Sequence, residues 1–241
     1  MNIKKFLTTE LMAEAAGKHI IEIVKKKPDS LLCFAGGDTP LMTLNYLAEA
    51  AKQGEVDFGK CSFVSLDEWV GLGKETNGSC KQTLFDHFFD RIPNIDDSQI
   101  CFFDGLAIDM DAECKRVDHF VAKHEGIDFM LLGIGMNGHI GFNEPGVRVD
   151  TYCHVIDLDP VTKKVSVKYF DEEMNVTRGI SLGIQHITEA AEVMLMANGE
   201  KKADIVELTI NTEPTADIPS TLVKNSKHAV LYIDDAAASK L

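Results

Sequence analysis

The chain is short of positive charge: 24 lysines and arginines stand against 38 aspartates and glutamates, a formal net charge of −14. Counterion release on a nucleic acid needs a basic face, and so does an anionic membrane surface, so neither is expected as the main partner. An anionic small molecule remains open, because it needs only a local positive site. No apolar run reaches the ~18 residues of a membrane span. The N-terminal MNIKKFLTTELMAEAAGKHIIEIVKKK carries charges throughout its apolar stretch and so lacks a signal-peptide core. Cysteine is present, but Cys33, Cys61, Cys80, Cys101, Cys114 and Cys153 form no CxxC pair and no zinc-like spacing with histidine. They read as small buried hydrophobes in a reducing compartment. No metal is expected, and a cytoplasmic location is. Repeats, low-complexity stretches and linkers are missing too, so one domain over 1–241 is the simplest organisation.

What is there is alternation. Apolar residues recur at helical spacing over 8–27, and three lysines close that segment as a helix C-terminus favours, before Pro28 stops it. The run SLLCFAGGDTP then passes from strand through a glycine pair to the helical pattern LMTLNYLAEAAKQGE. CSFVSLDEWV repeats the strand pattern, 79–91 reads as a helix, ICFFDG as a strand, 110–125 as a helix, and DFMLLGIG as an almost wholly apolar strand. Further on, ITEAAEVMLMANGEKKADIVELTI reads as turn, strand, glycine loop and helix, and HAVLYIDD as a last strand. The stretch 147–178 looks irregular, a loop and helix segment over the sheet. Strands apolar throughout and alternating with helices predict an α/β fold whose largely parallel sheet is covered on both faces.

In such sheets ligands sit outside the carboxyl ends of the strands. Here four sequence-distant strand ends carry GGDT, LDE, NGHIGFNE and NGEKK. In AGGDTP, the glycines Gly36 and Gly37 precede Thr39 as an expected N-cap and Pro40 at the first helical position, leaving free N–H groups for a phosphate. The same glycines also suit an ordinary tight turn, and Asp38 fits poorly beside a phosphate unless it points away, caps backbone or meets a sugar hydroxyl. In LDEW, Asp67 and Glu68 leave an extended backbone on opposite sides. One should enter the cleft and the other be exposed or paired; a carboxylate with restricted water gains a raised pKa and can act as a general base. In GIGMNGHIGFNEPG, Gly133, Gly135, Gly138 and Gly141 remove side chains so that His139, Asn143 and Glu144 can converge. A histidine with a carboxylate partner moves protons near neutral pH. Lys201 and Lys202 at a helix start call for a nearby anion, and Lys168 is a further cation of the same kind.

These motifs resemble the glucosamine-6-phosphate deaminase family, within the larger group of 6-phosphogluconolactonases and ribose-5-phosphate isomerases. LDEWVGL is similar to that family's LDEYVGL-type motif, and GIGMNGHIGFNEPG to its GxGxDGHIAFNEPG-type signature, in the same order over essentially the whole chain. The tryptophan of LDEW, VTRGISLGI and the compressed region after NEPG look closest to the galactosamine-6-phosphate isomerase branch. The resemblance implies a Rossmann-like fold and conversion of a hexosamine 6-phosphate, galactosamine 6-phosphate before glucosamine 6-phosphate, to a ketohexose 6-phosphate and ammonia, without metal or redox cofactor. It further implies that Asp67 moves the C2 proton, that His139 opens the sugar ring with Glu144 and Asn137 holding it, and that Gly36, Gly37, Asp38 and Thr39 receive the phosphate with Lys168 and Lys202. Asn137 stands where many relatives have Asp; an amide orients the imidazole but lends no charge. Lys168 replaces an arginine of many glucosamine enzymes and loses its bidentate geometry.

Two other functions fit parts of the pattern. A 6-phosphogluconolactonase-like hydrolase would share the phosphate loop and the histidine, but its GxDGHxASLFP-type signature lacks the carboxylate at 144. A non-catalytic sugar-phosphate sensor would bring a helix-turn-helix and a basic face, and the chain has neither. The family includes single chains and multimers, so a homo-oligomer is an open partner.

Overall fold

The computed structural model describes residues 1–170 and 176–241. In chain order the first elements are β1 (Asn2–Phe6), α1 (Thr9–Lys26), β2 (Leu31–Phe34), α2 (Asp38–Lys52), β3 (Ser62–Ser65) and β4 (Asp67–Trp69). Next come α3 (Cys80–His87), β5 (Ile100–Cys101), α4 (Met110–Lys123), β6 (Phe129–Gly133), β7 (His154–Asp157) and α5 (Pro160–Ser166). The chain closes with β8 (Arg178–Ser181), α6 (Ile184–Glu189), β9 (Glu192–Ala197), α7 (Ala203–Asn211) and β10 (Ala229–Asp234).

Seven strands form one sheet in the order β1-β10-β9-β6-β2-β3-β5, and every neighbouring pair is parallel. The continuous apolar strands fill two cores at once, because alternate side chains face opposite layers. Leu31 and Cys33 of β2, Met130 and Leu132 of β6 and Leu195 of β9 pack with α4, α6 and α7. Leu32, Phe34, Phe129, Leu131 and Met194 from the same strands pack with α1, α2 and α3. Phe88 centres the second layer, its ring 5.4 Å from Phe34, 5.2 Å from Phe58, 5.8 Å from Phe63 and 5.1 Å from Phe89. The predicted α/β fold with helices on both faces is therefore the observed one.

The strand order reverses between β2 and β6. From β2 the chain moves through α2 to β3 on one side, and from β6 it moves to β9 on the other. The two outgoing loops separate there and leave a crevice, as such a switch requires.

Three segments depart from the sequence expectations. The N-terminal residues 2–6 form β1, in register with β10 from Asn2 opposite Val230; the strand lies at the sheet edge and is exposed except at Phe6, so it shows no apolar alternation. The stretch 147–178 is not merely loop and helix: β7 joins β4 and β8 in a second, antiparallel sheet of order β4-β8-β7. Residues 171–175 of that stretch lie outside the described residues. Finally, the turn expected around ITEAA is partly helical, in α6.

The second sheet begins abruptly. β3 ends at Ser65 and β4 starts at Asp67, so Leu66 alone joins the parallel sheet to the antiparallel ribbon. Its carbonyl accepts the Leu182 N–H at 2.8 Å and the Ser181 hydroxyl at 3.3 Å. Among the described residues, no helix is long and apolar enough to cross a membrane.

Candidate active site

A cavity of about 330 Å³ opens in the crevice between the loops after β2 and β6. The ends of β2, β3, β6 and β9 all reach it, and Gly36, Gly37, Asp38, Thr39, Asp67, His139, Lys168 and Lys202 line it. Asn137 and Glu144 do not; they stand behind His139.

Asp67 and Glu68 separate as the extended backbone dictates. Asp67 is 9% exposed and turns into the cavity. Burial pushes its carboxyl up to about 6, while the Cys80 thiol that bonds it and the nearby His139 pull the other way. Glu68 turns to the first turn of α3, where it accepts the backbone N–H of Cys80 at 3.0 Å and of Lys81 at 2.8 Å, besides that of Trp69 at 2.8 Å. It satisfies helix donors that have no partner inside the helix. Glu68 is thus the paired member of the two, and Asp67 the one available for chemistry.

His139 is fixed from several directions. Asn137 Oδ1 accepts its backbone N–H at 3.2 Å, and Asn137 Nδ2 donates to Glu144 Oε2 at 3.0 Å. Glu144 Oε2 lies 3.6 Å from His139 Nδ1, and the Thr162 hydroxyl of α5 reaches the same nitrogen at 3.5 Å. Burial raises the Glu144 carboxyl, but His139, Thr162 and Asn137 outweigh it and hold the group below the usual carboxylate range. A negative Glu144 next to Nδ1 leaves Nε2 as the nitrogen free for proton transfer. The loop glycine that matters most is Gly135: a Cβ there would lie 1.3 Å from His139 Cδ2. Gly141 has φ +56°, and a Cβ on it would meet Ser181 and Leu66.

The third wall is the start of α2. Gly37, not Thr39, is its N-cap, and no side chain caps it. Pro40 accordingly falls at the third helical position instead of the first. The Thr39 hydroxyl instead donates to Asn198 Oδ1 at 2.7 Å, tying the β2 loop to the β9 loop. The first turn of α2 lines the cavity, and its backbone N–H groups have no partner inside the helix, which with the dipole suits an anion. Asp38 neither caps backbone nor waits for a hydroxyl: it forms an ion pair with Lys168. Lys202 reaches under the loop to donate to the Ile134 carbonyl. Burial, aided by Lys168, draws its ammonium down to about 8, with Asp38 opposing.

Asn143, expected to converge with His139 and Glu144, is instead structural. Its Nδ2 donates to the Ile140 and Leu182 carbonyls at 2.8 Å each and clamps the loop to the end of β8. Sequence reasoning missed Thr162, Cys80 and Asn198 at the cavity. Thr162 lies in the stretch 147–178 that the sequence shows as irregular, Cys80 has only the pattern of a buried thiol, and Asn198 sits beside the glycine of a motif whose lysines carry the signal.

Residues 7–232 match the protein family described as glucosamine-6-phosphate isomerases/6-phosphogluconolactonase. Among curated relatives, the glucosamine-6-phosphate deaminase of Clostridium novyi is 36% identical over 242 residues, covering 100% of both chains. That of Thermoanaerobacter sp. is 35% identical, covering 95% of this chain and 91% of its own. The solved structure of a monomeric glucosamine-6-phosphate deaminase superposes with a TM-score of 0.96 at 30% identity, covering 100% of each chain. The 6-phosphogluconolactonase of Trypanosoma brucei gives 0.77 at 18% identity, with 100% of this chain and 98% of that one covered, a likeness of fold alone.

Proposed function

Since the chain belongs to the family of glucosamine-6-phosphate isomerases and 6-phosphogluconolactonases, we propose that it is an enzyme that isomerises and deaminates a hexosamine 6-phosphate. The observation that carries this is one cavity walled by a buried carboxylate, a carboxylate-backed histidine and an uncapped helix start. His139 opens the pyranose ring by taking the proton of the C1 hydroxyl at Nε2 and giving it to the ring oxygen, so that the bond from C1 to the ring oxygen breaks as the C1 carbonyl forms. Asp67, ionised above about pH 6, removes the C2 proton of the open aldehyde. Electrons move into an enediol-like intermediate in which the C2 substituent is the amine. A proton returned to C1 leaves a C2 imine, and water hydrolyses it to the ketone and ammonia. No external electron carrier enters, because C1 is reduced as C2 is oxidised. Asn137 and Glu144 hold the imidazole, and the phosphate lies on Gly36, Gly37 and Thr39 with Lys202 and Lys168, once Lys168 is shared with Asp38.

Two epimers differ at C4. The curated relatives carry glucosamine in their names, while the LDEW tryptophan and VTRGISLGI support galactosamine. Trp69 packs 4.5 Å from Phe142 and 5.7 Å from Phe170 and lines the same cavity, so the residue behind that preference is in contact with the site. The test is ammonia release from galactosamine 6-phosphate and glucosamine 6-phosphate offered separately, with Asp67→Asn as control and 6-phosphogluconolactone as a third substrate. Ammonia from either hexosamine phosphate, lost in the variant, is the expected result and names the epimer. Silence on both with lactone hydrolysis overturns the proposal in favour of a hydrolase.

A further inference from the structure

Away from the cavity, three ligating side chains of different chemistry meet. Asp118 comes from α4, Cys153 from the residue before β7 and His186 from α6, and none of them lines the cavity. One ligand atom from each lies within 4.8 Å of the other two. The Cys153 N–H donates to Asp118 Oδ1 at 3.0 Å, the Cys153 thiol is bonded to the same carboxylate, and His186 Nε2 stands 3.4 Å from Asp118 Oδ1.

Hydrogen bonding leaves this cluster unfinished. His186 is 4% exposed, yet its buried Nδ1 has no partner among the described residues, and neither has the buried Nε2 of nearby His154. A neutral imidazole has one N–H. If His186 carries it on Nε2, the Nδ1 lone pair is orphaned in the core. If it is on Nδ1, the Nε2 lone pair faces a carboxylate. A cation between Nε2, the carboxylate and the sulfur removes the conflict at Nε2, while Nδ1 on the far side of the ring keeps no partner among the described residues.

We propose that Asp118, Cys153 and His186 form a binding site for a borderline-soft divalent cation, Zn²⁺ being the type, separate from the reaction cavity. One sulfur, one imidazole and one carboxylate make the mixed set that Zn²⁺ accepts, whereas Mg²⁺ and Ca²⁺ take oxygen ligands. Tetrahedral Zn²⁺ at its usual bond lengths places ligand atoms roughly 3.3–3.8 Å apart, so the cluster closes by a small inward movement of side chains. Binding breaks the Cys153 S–H bond, releases that proton to water and forms the metal–sulfur bond; nothing is oxidised or reduced. Asp118, with 34% of its side chain exposed, gives the entry path and the open fourth position. The cation would clamp α4 and α6 to the edge of the antiparallel ribbon. In that ribbon His154 pairs with Ser181, and Ser181 pairs with Asp67. The metal would therefore brace the strand that carries the proposed base.

The experiment titrates chelator-treated full-length protein with Co²⁺ and then Zn²⁺. The expected result is one equivalent of Co²⁺ with a thiolate-to-metal charge-transfer band, displacement by Zn²⁺, and a higher melting temperature with metal. Cys153→Ser should abolish the band, Cys80→Ser should keep it, and His186→Gln should weaken Zn²⁺ binding about a hundredfold or more. The band is read on the unaltered chain, so a variant that fails to fold does not shelter the proposal. Co²⁺ bound without a thiolate band, no binding at micromolar metal, or a band that survives in folded Cys153→Ser overturns it.

Discussion

The His139 imidazole occupies the volume that a side chain on Gly135 would need, with its Cδ2 1.3 Å from the position of a Cβ. Gly135 is not among the glycines with positive φ, so alanine meets no backbone strain there, only the ring. Gly135→Ala should displace His139 from Glu144 and Thr162 and lower kcat by about 10²–10⁴, the usual contribution of a placed acid or base. Steady-state kinetics beside a circular dichroism spectrum check it; a folded, fully active variant would remove His139 from the mechanism.

Asp67→Asn should abolish turnover and yet stabilise the protein at neutral pH. In the folded state the carboxyl binds its proton up to about pH 6, because burial disfavours the charge; the ordinary value is 3.8. Between those values the folded chain holds a proton that the unfolded chain has released, so stability falls as pH rises through that window and the loss persists above it. The neutral amide escapes this and should gain on the order of 2 kcal/mol at pH 8, and little at pH 3.5. Denaturant melts at the two pH values measure the difference.

The acid limb of kcat/KM should fall with the same group. Activity should halve near pH 6, where Asp67 takes up its proton, and drop about tenfold per pH unit below that. A limb centred near 4 would mean that burial does not shift the base.

Phosphate binding should weaken in alkaline solution through Lys202. Its ammonium loses a proton near pH 8 because burial and Lys168 disfavour the charge. A bound phosphate needs that charge, so KM should rise up to about tenfold per pH unit above 8, and less steeply in Lys202→Gln, which starts from a higher KM. A KM flat from pH 7 to 9.5 in the parent would take Lys202 out of the phosphate site.

Phe88→Ala tests the core separately from the site. Phe88 is fully buried among Phe34, Phe58, Phe63 and Phe89 and does not line the cavity. The loss should be about 3–5 kcal/mol in equilibrium unfolding, with KM unchanged in the fraction that remains folded.

The central strands were readable because both of their faces are buried: Leu31–Phe34 and Phe129–Leu132 are apolar without interruption. The exposed edge strand β1 and the half-buried β7 carry no such mark, since pairing across backbone leaves no trace in side-chain hydropathy. The division of labour between Asp67 and Glu68 was legible from strand alternation. The partner of Asp38 was not, because Lys168 lies 130 residues away and only tertiary folding brings it there. Cap identity is hidden for the same tertiary reason: Thr39 has the better capping side chain, but its hydroxyl is engaged with Asn198, 159 residues away, and the helix starts earlier at a glycine.

Leu66 has a consequence for how such a site can diverge. Because one residue separates the parallel sheet from the ribbon, Asp67 belongs mechanically to the ribbon while His139 belongs to a loop of the main sheet. The gap between the two reacting groups is thus a seam between the ribbon and that loop, pinned where the Phe142 N–H donates to the Ser181 hydroxyl at 3.2 Å and Asn143 Nδ2 to the Leu182 carbonyl at 2.8 Å. Insertions beyond Trp69, or exchange of the ribbon's outer strand, leave that pin in place and can reshape substrate choice without retuning the proton path. A change at Leu66 itself alters the separation of base and histidine at once, so one residue couples the two halves of the reaction centre.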